Sequence, residues 1–166
     1  NLIVYTQGRM FRREDYMSDG RGSYQSLPLI VLTDETTASA AEIFSGAIQD
    51  NDRGIIIGRR TFGKGLVQQP IEFGDGSMIH LTIARYYTPS GRCIQKPYSK
   101  GGNKEYELDI ISRYEHGEFF SEDSIRQTGE KYLTSIGRTV YGGGGIMPDY
   151  FVAEDTSDIT DYYKEV

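Results

Sequence analysis

Three sets of residues have the types and spacing to do chemistry. Gly58, Arg59, Arg60, Thr61, Phe62, Gly63 and Lys64 spell GxxxxGK, the outline of a phosphate-cradling loop. Gly65 stands where such a loop needs the Ser or Thr that holds Mg²⁺, and the next residues, LVQQPIEF, have strand composition where a helix N-terminus should receive the phosphates. These departures argue against nucleotide binding. A Ser, His, Asp triad would have to recruit His80 or His116. His80 alternates with Ile79 and Leu81 in a strand-like run, and His116 lies between Glu115 and Gly117 in a polar segment. The plainer readings are a strand side chain and a solvated loop. Neither GxSxG nor SxxK occurs.

The third set is Ser39 and Lys64. A serine hydroxyl is a weak nucleophile that needs a base, and a lysine can serve where burial depresses its pKa from about 10.4 toward neutrality. Ser39 falls at the start of a predicted helix, where unpaired N–H groups and the positive end of the helix dipole favour an oxyanion; the N–H of Ala40 is the natural donor. The glycines beside Lys64 allow close backbone approach, and Phe62 is placed to cover its carbon stem. On the residues alone the plainer alternative stays open: Ser39 as a helix-start residue and Lys64 as a loop cation.

The elements that would position this pair can be read on either side. Leu29 to Leu32 form an unbroken apolar run after Pro28, suited to a strand buried on both faces and ending near Thr33. Residues 38 to 51 have helix formers, with Ile43, Phe44, Ala47 and Ile48 as a stripe for a sheet and Thr36 and Thr37 as candidate caps. Ile55 to Ile57 read as the next strand. The order strand, helix, strand predicts an α/β fold with a right-handed crossover and two parallel strands. Ser39 and Lys64 then lie beyond the C-terminal ends of neighbouring strands, where open α/β sheets gather their sites. Leu66 to Phe73 and Met78 to Tyr87 flank Gly74, Asp75 and Gly76 as a β-hairpin, with Ile79, Leu81 and Ile83 on one face. Residues 2 to 5 read as a strand, and 8 to 26 as a polar surface excursion. From Thr88 to about Gly137 the pattern reads as an excursion with one short helix capped by Ser121. The tail YGGGGIMPDYFV reads as a loop followed by a strand.

The chain has 166 residues, 37% hydrophobic and 25% charged, with a formal net charge of −6. It is large enough for one core. It lacks a basic, aromatic-interleaved stretch that would track a nucleic-acid backbone, so nucleic acid is not an expected partner. The single cysteine, Cys93, excludes an intrachain disulfide and a cysteine-rich metal site. No stretch has the length to span a bilayer. A chain that opens on Asn1, Leu2 and Ile3 without Met is expected to be cut from a longer polypeptide.

The stretch TDETTASAAEIFSGAIQDNDRGIIIGRRTFGKGLVQ resembles the core signature of the carboxy-terminal processing (tail-specific) peptidases, and YYTPSGRCIQKP and GRTVYGGGGIMPD are similar to further parts of that family. The resemblance implies a serine endopeptidase with a Clp protease and crotonase type of fold. In that family the nucleophilic serine stands 25 residues before the lysine base, and a glutamine four residues later orients the lysine; Ser39, Lys64 and Gln68 meet both spacings. It further implies protein substrates recognised near unstructured C-terminal tails, an exported cell-envelope setting, periplasmic or inner-membrane-associated in Gram-negative bacteria, and no metal or organic cofactor. The family's peptide-binding PDZ domain and the glycine-rich motif that gives a second oxyanion donor stand upstream of the serine, outside this chain. Residues 1–166 are therefore expected to be part of a catalytic core, inactive in isolation. Asp50 matches an acidic position of some members, but it lies 11 residues past Ser39, about 16 Å along an ideal helix, and reads as structural. Glu42 reads as an organiser of the helix start. A descendant retaining the fold only to bind peptides or to assemble is the alternative, and the intact Ser39, Lys64, Gln68 set argues against it.

Overall fold

A computed structural model describes residues 1–98, 103–126 and 129–156. The strands are β1 (Leu2–Gln7), β2 (Glu14–Met17), β3 (Ile30–Thr33), β4 (Ile55–Gly58), β5 (Leu66–Glu72), β6 (Met78–Tyr87), β7 (Lys131–Leu133), β8 (Thr139–Tyr141) and β9 (Tyr150–Phe151). The helices are α1 (Ala40–Asp50) and α2 (Asn103–Glu115), and Glu122–Ser124 form a 3₁₀ turn. β3, β4 and β9 make a parallel sheet in that order, β2-β1-β6-β5 an antiparallel sheet, and β7 and β8 a two-stranded ribbon.

The expected strand–helix–strand unit is present as β3, α1 and β4, with Ile30 opposite Ile55 and Thr33 opposite Gly58. Gly58 cannot carry a side chain: at φ +129° an added Cβ would stand 2.0 Å from the Thr33 carbonyl oxygen. α1 packs against β1 and β4. Its Gly46, costly in a helix interior by about 1 kcal/mol relative to Ala, allows Thr88 and Ile146 to approach; an added Cβ would meet them at 2.8 and 3.0 Å. The hairpin also forms as expected, with Phe73 N donating to Ser77 O at 2.8 Å across the turn.

Several expectations are corrected. β3 is not buried on both faces: Ile30 and Leu32 are 59% and 76% exposed while Thr33 is buried. An apolar run signals capacity for two-sided burial, but among the described residues only one face finds a partner. The predicted stripe of α1 holds in part: Ala47 is buried and Ile43 and Ile48 half-buried, but Phe44 is 53% exposed, and the polar Glu42, Ser45, Gln49 and Asp50 are buried as well. The helix is capped at Ser39 rather than at Thr36 or Thr37. Residues 8 to 26 contain β2, exposed throughout and held to β1 by backbone pairing, which leaves no hydrophobic signature. The excursion from Thr88 contains α2, whose Leu108, Ile111 and Tyr114 are about half exposed, so no apolar stripe announced it. Ser121 precedes only a 3₁₀ turn and makes no side-chain cap bond. Parts of that excursion, residues 99–102 and 127–128, lie outside the described residues.

Candidate active site

The loops after β3 and β4 lie side by side at the C-terminal ends of their strands. Asp34 opens the first: one oxygen of its carboxylate accepts the N–H and hydroxyl of both Thr36 and Thr37, at 2.8 to 3.0 Å. Burial would raise the Asp34 pKa, but these bonds outweigh it and hold the carboxyl below its ordinary range. The Thr37 carbonyl accepts the N–H of Phe62 at 2.9 Å, which ties the first loop to the second. Arg59 adds an ion pair to Glu35 at 2.6 Å.

Ser39 ends the first loop as the N-cap of α1, with φ 59° and ψ −119°. That backbone region is sparsely populated by residues other than glycine, costs about 1–3 kcal/mol, and clusters at functional sites. It turns the chain from the loop into the helix and leaves Ser39 exposed. The next N–H, that of Ala40, is one of the unpaired donors of the helix start and has no acceptor among the described residues.

One residue joins the two loops. Glu42, fully buried, accepts Ser39 N at 2.9 Å and Lys64 N at 2.8 Å on the same carboxylate oxygen. Its other oxygen accepts Gly63 N at 2.7 Å and the Thr61 hydroxyl. Four donors thus occupy a carboxylate's four lone-pair sites, and the two amide nitrogens can be no further apart than their two bonds to one oxygen allow. Glu42 organises the helix start as expected, and it fixes the lysine loop as well. Thr61, which sequence reasoning missed, completes the set: its hydroxyl also accepts Ile146 N at 2.7 Å, docking the glycine-rich tail segment. An isolated threonine between Arg60 and Phe62 gives no pattern by which to find it.

Lys64 follows Gly63, which has φ +90° and lies so close to Lys96 and Gly145 that an added Cβ would meet them at 3.1 and 3.2 Å. Gly65 is as tight against Ile94, at 2.7 Å. The close approach expected of these glycines is therefore present. The expected cover from Phe62 is not: Lys64 is exposed, and the Phe62 ring instead lies under the ammonium of Lys96, 3.8 Å from its centroid. Gln68 is exposed on β5, and no hydrogen bond joins it to Lys64 in the structure. It sits at a register shift in the β5–β6 ladder between Val67 and Gln68, the kind of irregularity that re-aims a side chain beside a site.

Behind the lysine loop lies a buried charged layer that the sequence did not disclose. Arg113 of α2 donates to the carbonyls of Thr61 and Arg60 at 3.1 and 2.6 Å, and to Glu118 at 2.9 Å. Arg60 pairs with the same Glu118 at 2.6 Å. Burial first, then the neighbouring Arg60 charge, pulls the Arg113 guanidinium below its usual pKa. Lys96 lies between the rings of Phe62 and Tyr106 and pairs with Asp109 at 3.1 Å. Burial lowers its pKa, against the opposing pull of Asp109.

Asp50 lies at the other end of α1, fully buried, bonded to Arg92 at 2.7 Å and to Ser90 N at 3.1 Å. The structure thus separates it from Ser39 and gives it a structural partner. His80 is an exposed strand residue, and His116 is exposed just past α2 against the Ser112 carbonyl. The GxxxxGK stretch runs into β5, not into a helix. Among the described residues no cluster of three or more His, Cys, Asp or Glu suits a metal ion, and no helix is long and apolar enough to cross a membrane.

The chain is 48% identical over 95 residues, 57% of its length, to the chloroplastic C-terminal processing peptidase of Tetradesmus obliquus, of which it spans 20%. It is 36% identical over 121 residues, 68% of its length, to the carboxy-terminal processing protease CtpA of Bacillus subtilis, of which it spans 25%. Its fold matches the photosystem II D1 C-terminal processing protease over 92% of this chain and 27% of that one, at a TM-score of 0.59 and 28% identity. A putative S41 protease from Bacteroides fragilis, 16% identical, shares the mixed α/β fold over 93% of this chain and 30% of that one, at a TM-score of 0.52. The chain therefore spans between a fifth and a third of these relatives. Residues 1–108 match Peptidase family S41, and the chain belongs to that family.

Proposed function

We propose that this chain is part of the catalytic core of a longer serine endopeptidase that cuts proteins near their C-terminal tails, with Ser39 as nucleophile and Lys64 as base. The observation that carries the reading is the shared carboxylate oxygen of Glu42, which holds the backbone amides of Ser39 and Lys64 against one point. Two residues 25 apart in sequence thus have their backbones held side by side, which supports pairing of their side chains.

In the proposed reaction the Ser39 hydroxyl oxygen attacks a peptide carbonyl carbon while neutral Lys64 takes the hydroxyl proton. The Ala40 N–H stabilises the oxyanion. Lys64 then gives its proton to the departing amine, leaving an acyl ester on Ser39, and afterwards takes a proton from the water that hydrolyses the ester. Because Lys64 is exposed in the structure, the substrate itself must supply the desolvation that favours its neutral form. Gln68 turns toward Lys64 when that cover is in place. The upstream glycine motif of the longer protein supplies a second oxyanion donor, and its PDZ domain captures substrate tails. The mechanism needs no cofactor and no nucleic acid. The relatives named as chloroplastic and bacterial processing enzymes support a cell-envelope or equivalent exported setting, periplasmic in a Gram-negative cell.

The test is acylation by a serine-directed probe in the longer protein, read by the mass of the peptide bearing Ser39. Labelling that disappears in both Ser39→Ala and Lys64→Ala, with melting temperatures unchanged, is the expected result. A folded protein that never labels and cleaves no unstructured tail would point instead to a peptide-binding or assembly module.

A further inference from the structure

The edge of β5 starts two residues past Lys64 and is the outer edge of the sheet β2-β1-β6-β5, unpaired among the described residues. Its register says which groups face outward. Phe73 bonds to Ser77 at the turn, and Ile71 and Gln69 stand opposite Ile79 and Leu81. Bonded and non-bonded pairs alternate along an antiparallel ladder, so Gln69, Ile71 and Phe73 turn their N–H and C=O toward β6. Gln68, Pro70 and Glu72 turn theirs away. Pro70 agrees with this phase, since a proline is tolerated where no ladder donor is needed. The free edge thus offers the N–H and C=O of Gln68 and Glu72 and the C=O of Pro70. The donor missing at Pro70 and the charge of Glu72 limit indiscriminate pairing.

The hairpin also has an unusual face. Cross-strand partners share a face, so Ile71, Phe73, Ile79 and Leu81 form one apolar strip, between 39% and 49% exposed. A strand added at the β5 edge would set every second side chain along this strip.

We propose that the β5 edge is the docking strand for the substrate: an extended, unstructured protein segment with apolar side chains at alternate positions joins the sheet there and is thereby drawn up to Lys64. Backbone bonds give the hold and the strip gives the side-chain preference, as in other recognition by strand addition. The bulge at Val67 and Gln68 separates this docking stretch from the lysine loop, so the segment leaves the edge as it reaches Lys64. The proposal rests on the peptidase reading above but can fail separately from it.

The experiment measures binding without turnover, in the Ser39→Ala variant of the longer protein. The probe is a fluorescent synthetic peptide of about twelve residues with valine at alternate positions and a free carboxylate, together with copies methylated at one backbone nitrogen each. Affinity is expected to fall about tenfold at every second methylated position within a central stretch and to stay level between. Glu72→Pro, which removes an outward donor but no bond to β6, is expected to weaken the parent peptide by a similar factor at an unchanged melting temperature. Ile79→Ser should weaken valine-bearing peptides more than alanine-bearing ones. No binding, a flat methylation scan, or full affinity in Glu72→Pro would overturn the proposal, as would concentration-dependent pairing of two copies through this edge. Acylation of wild-type Ser39 with a flat scan removes docking alone. A periodic scan without acylation removes the catalytic reading and leaves docking standing.

Discussion

Glu42 carries more of the proposed chemistry than its contact with any substrate would suggest, because both reacting residues hang from it. Replacing it by glutamine leaves one acceptor oxygen and turns an N–H₂ toward amides that also donate. Each buried group left unpaired costs about 1–3 kcal/mol. Glu42→Gln is therefore expected to lower stability by at least that amount and to slow acylation of Ser39 beyond what the unfolded fraction explains, as melting curves and probe kinetics on the same sample would reveal. Asp34 makes a pH prediction. Its folded pKa lies below that of an unfolded aspartate, about 3.9, so its contribution to stability is present above that value and is lost as pH falls through the lowered folded value. Wild type should lose melting temperature below about pH 4 more steeply than Asp34→Asn, and parallel curves would sink the claim. Ser39 and Lys64 were marked as candidates by the family resemblance, since residue type alone also allowed a helix-start serine and a loop cation; the strand-end loops that carry them were legible from the flanking apolar runs. The partner of Phe62 was not, because one ring between two lysine-bearing segments can cover either, and tertiary packing chose Lys96.

At the scale of elements, α2 and the lysine loop form one unit. The helix is bound less by an apolar stripe than by Arg113, Asp109 and their partners, so periodicity gave no warning of it. Strand, helix and hairpin around the candidate pair were legible for the opposite reason: β3 and β4 carry apolar runs bounded by proline or glycine, β5 and β6 flank the Gly74, Asp75, Gly76 turn, and α1 has strong helix formers. Which face each would bury was less so, since α1 buries Glu42, Ser45, Gln49 and Asp50 and leaves Phe44 outside. Arg113→Met keeps the side-chain length but leaves the carbonyls of Arg60 and Thr61 without their donor and Glu118 with one cation fewer. Breaking a buried pair in this way costs about 3–5 kcal/mol. Amide hydrogens of residues 61 to 65 are expected to exchange faster in this variant, while those of β1 and β6 keep their protection. Equal acceleration everywhere would mean that the layer supports the whole fold and not the loop.

For the whole molecule, α1 is the rod on which the sheets are assembled, and its two ends do different work. Its N-terminus holds Ser39 and the Glu42 junction. Its C-terminus is a polar hub where Arg92, following β6, donates to Gln49 and Asp50 of α1 and to the Tyr141 carbonyl of β8. Arg138 there bonds the Gln49 carbonyl, Asp52 and Asp149, the last leading into β9. Cations at a helix C-terminus are also favoured by the helix dipole. Burial lowers the Arg92 pKa and the Asp50 charge opposes that shift, so removing Asp50 strands a guanidinium in the interior. Asp50→Ala is expected to cost about 3–5 kcal/mol, whereas Asp50→Leu combined with Arg92→Met should cost much less than the two single changes together. The decisive readout is acylation of Ser39 per folded molecule. A hub at the far end of α1 predicts that this quantity stays near wild type in the double variant while the melting temperature moves. A loss of acylation in fully folded protein would instead make Asp50 a partner in the chemistry, acting along the length of the helix.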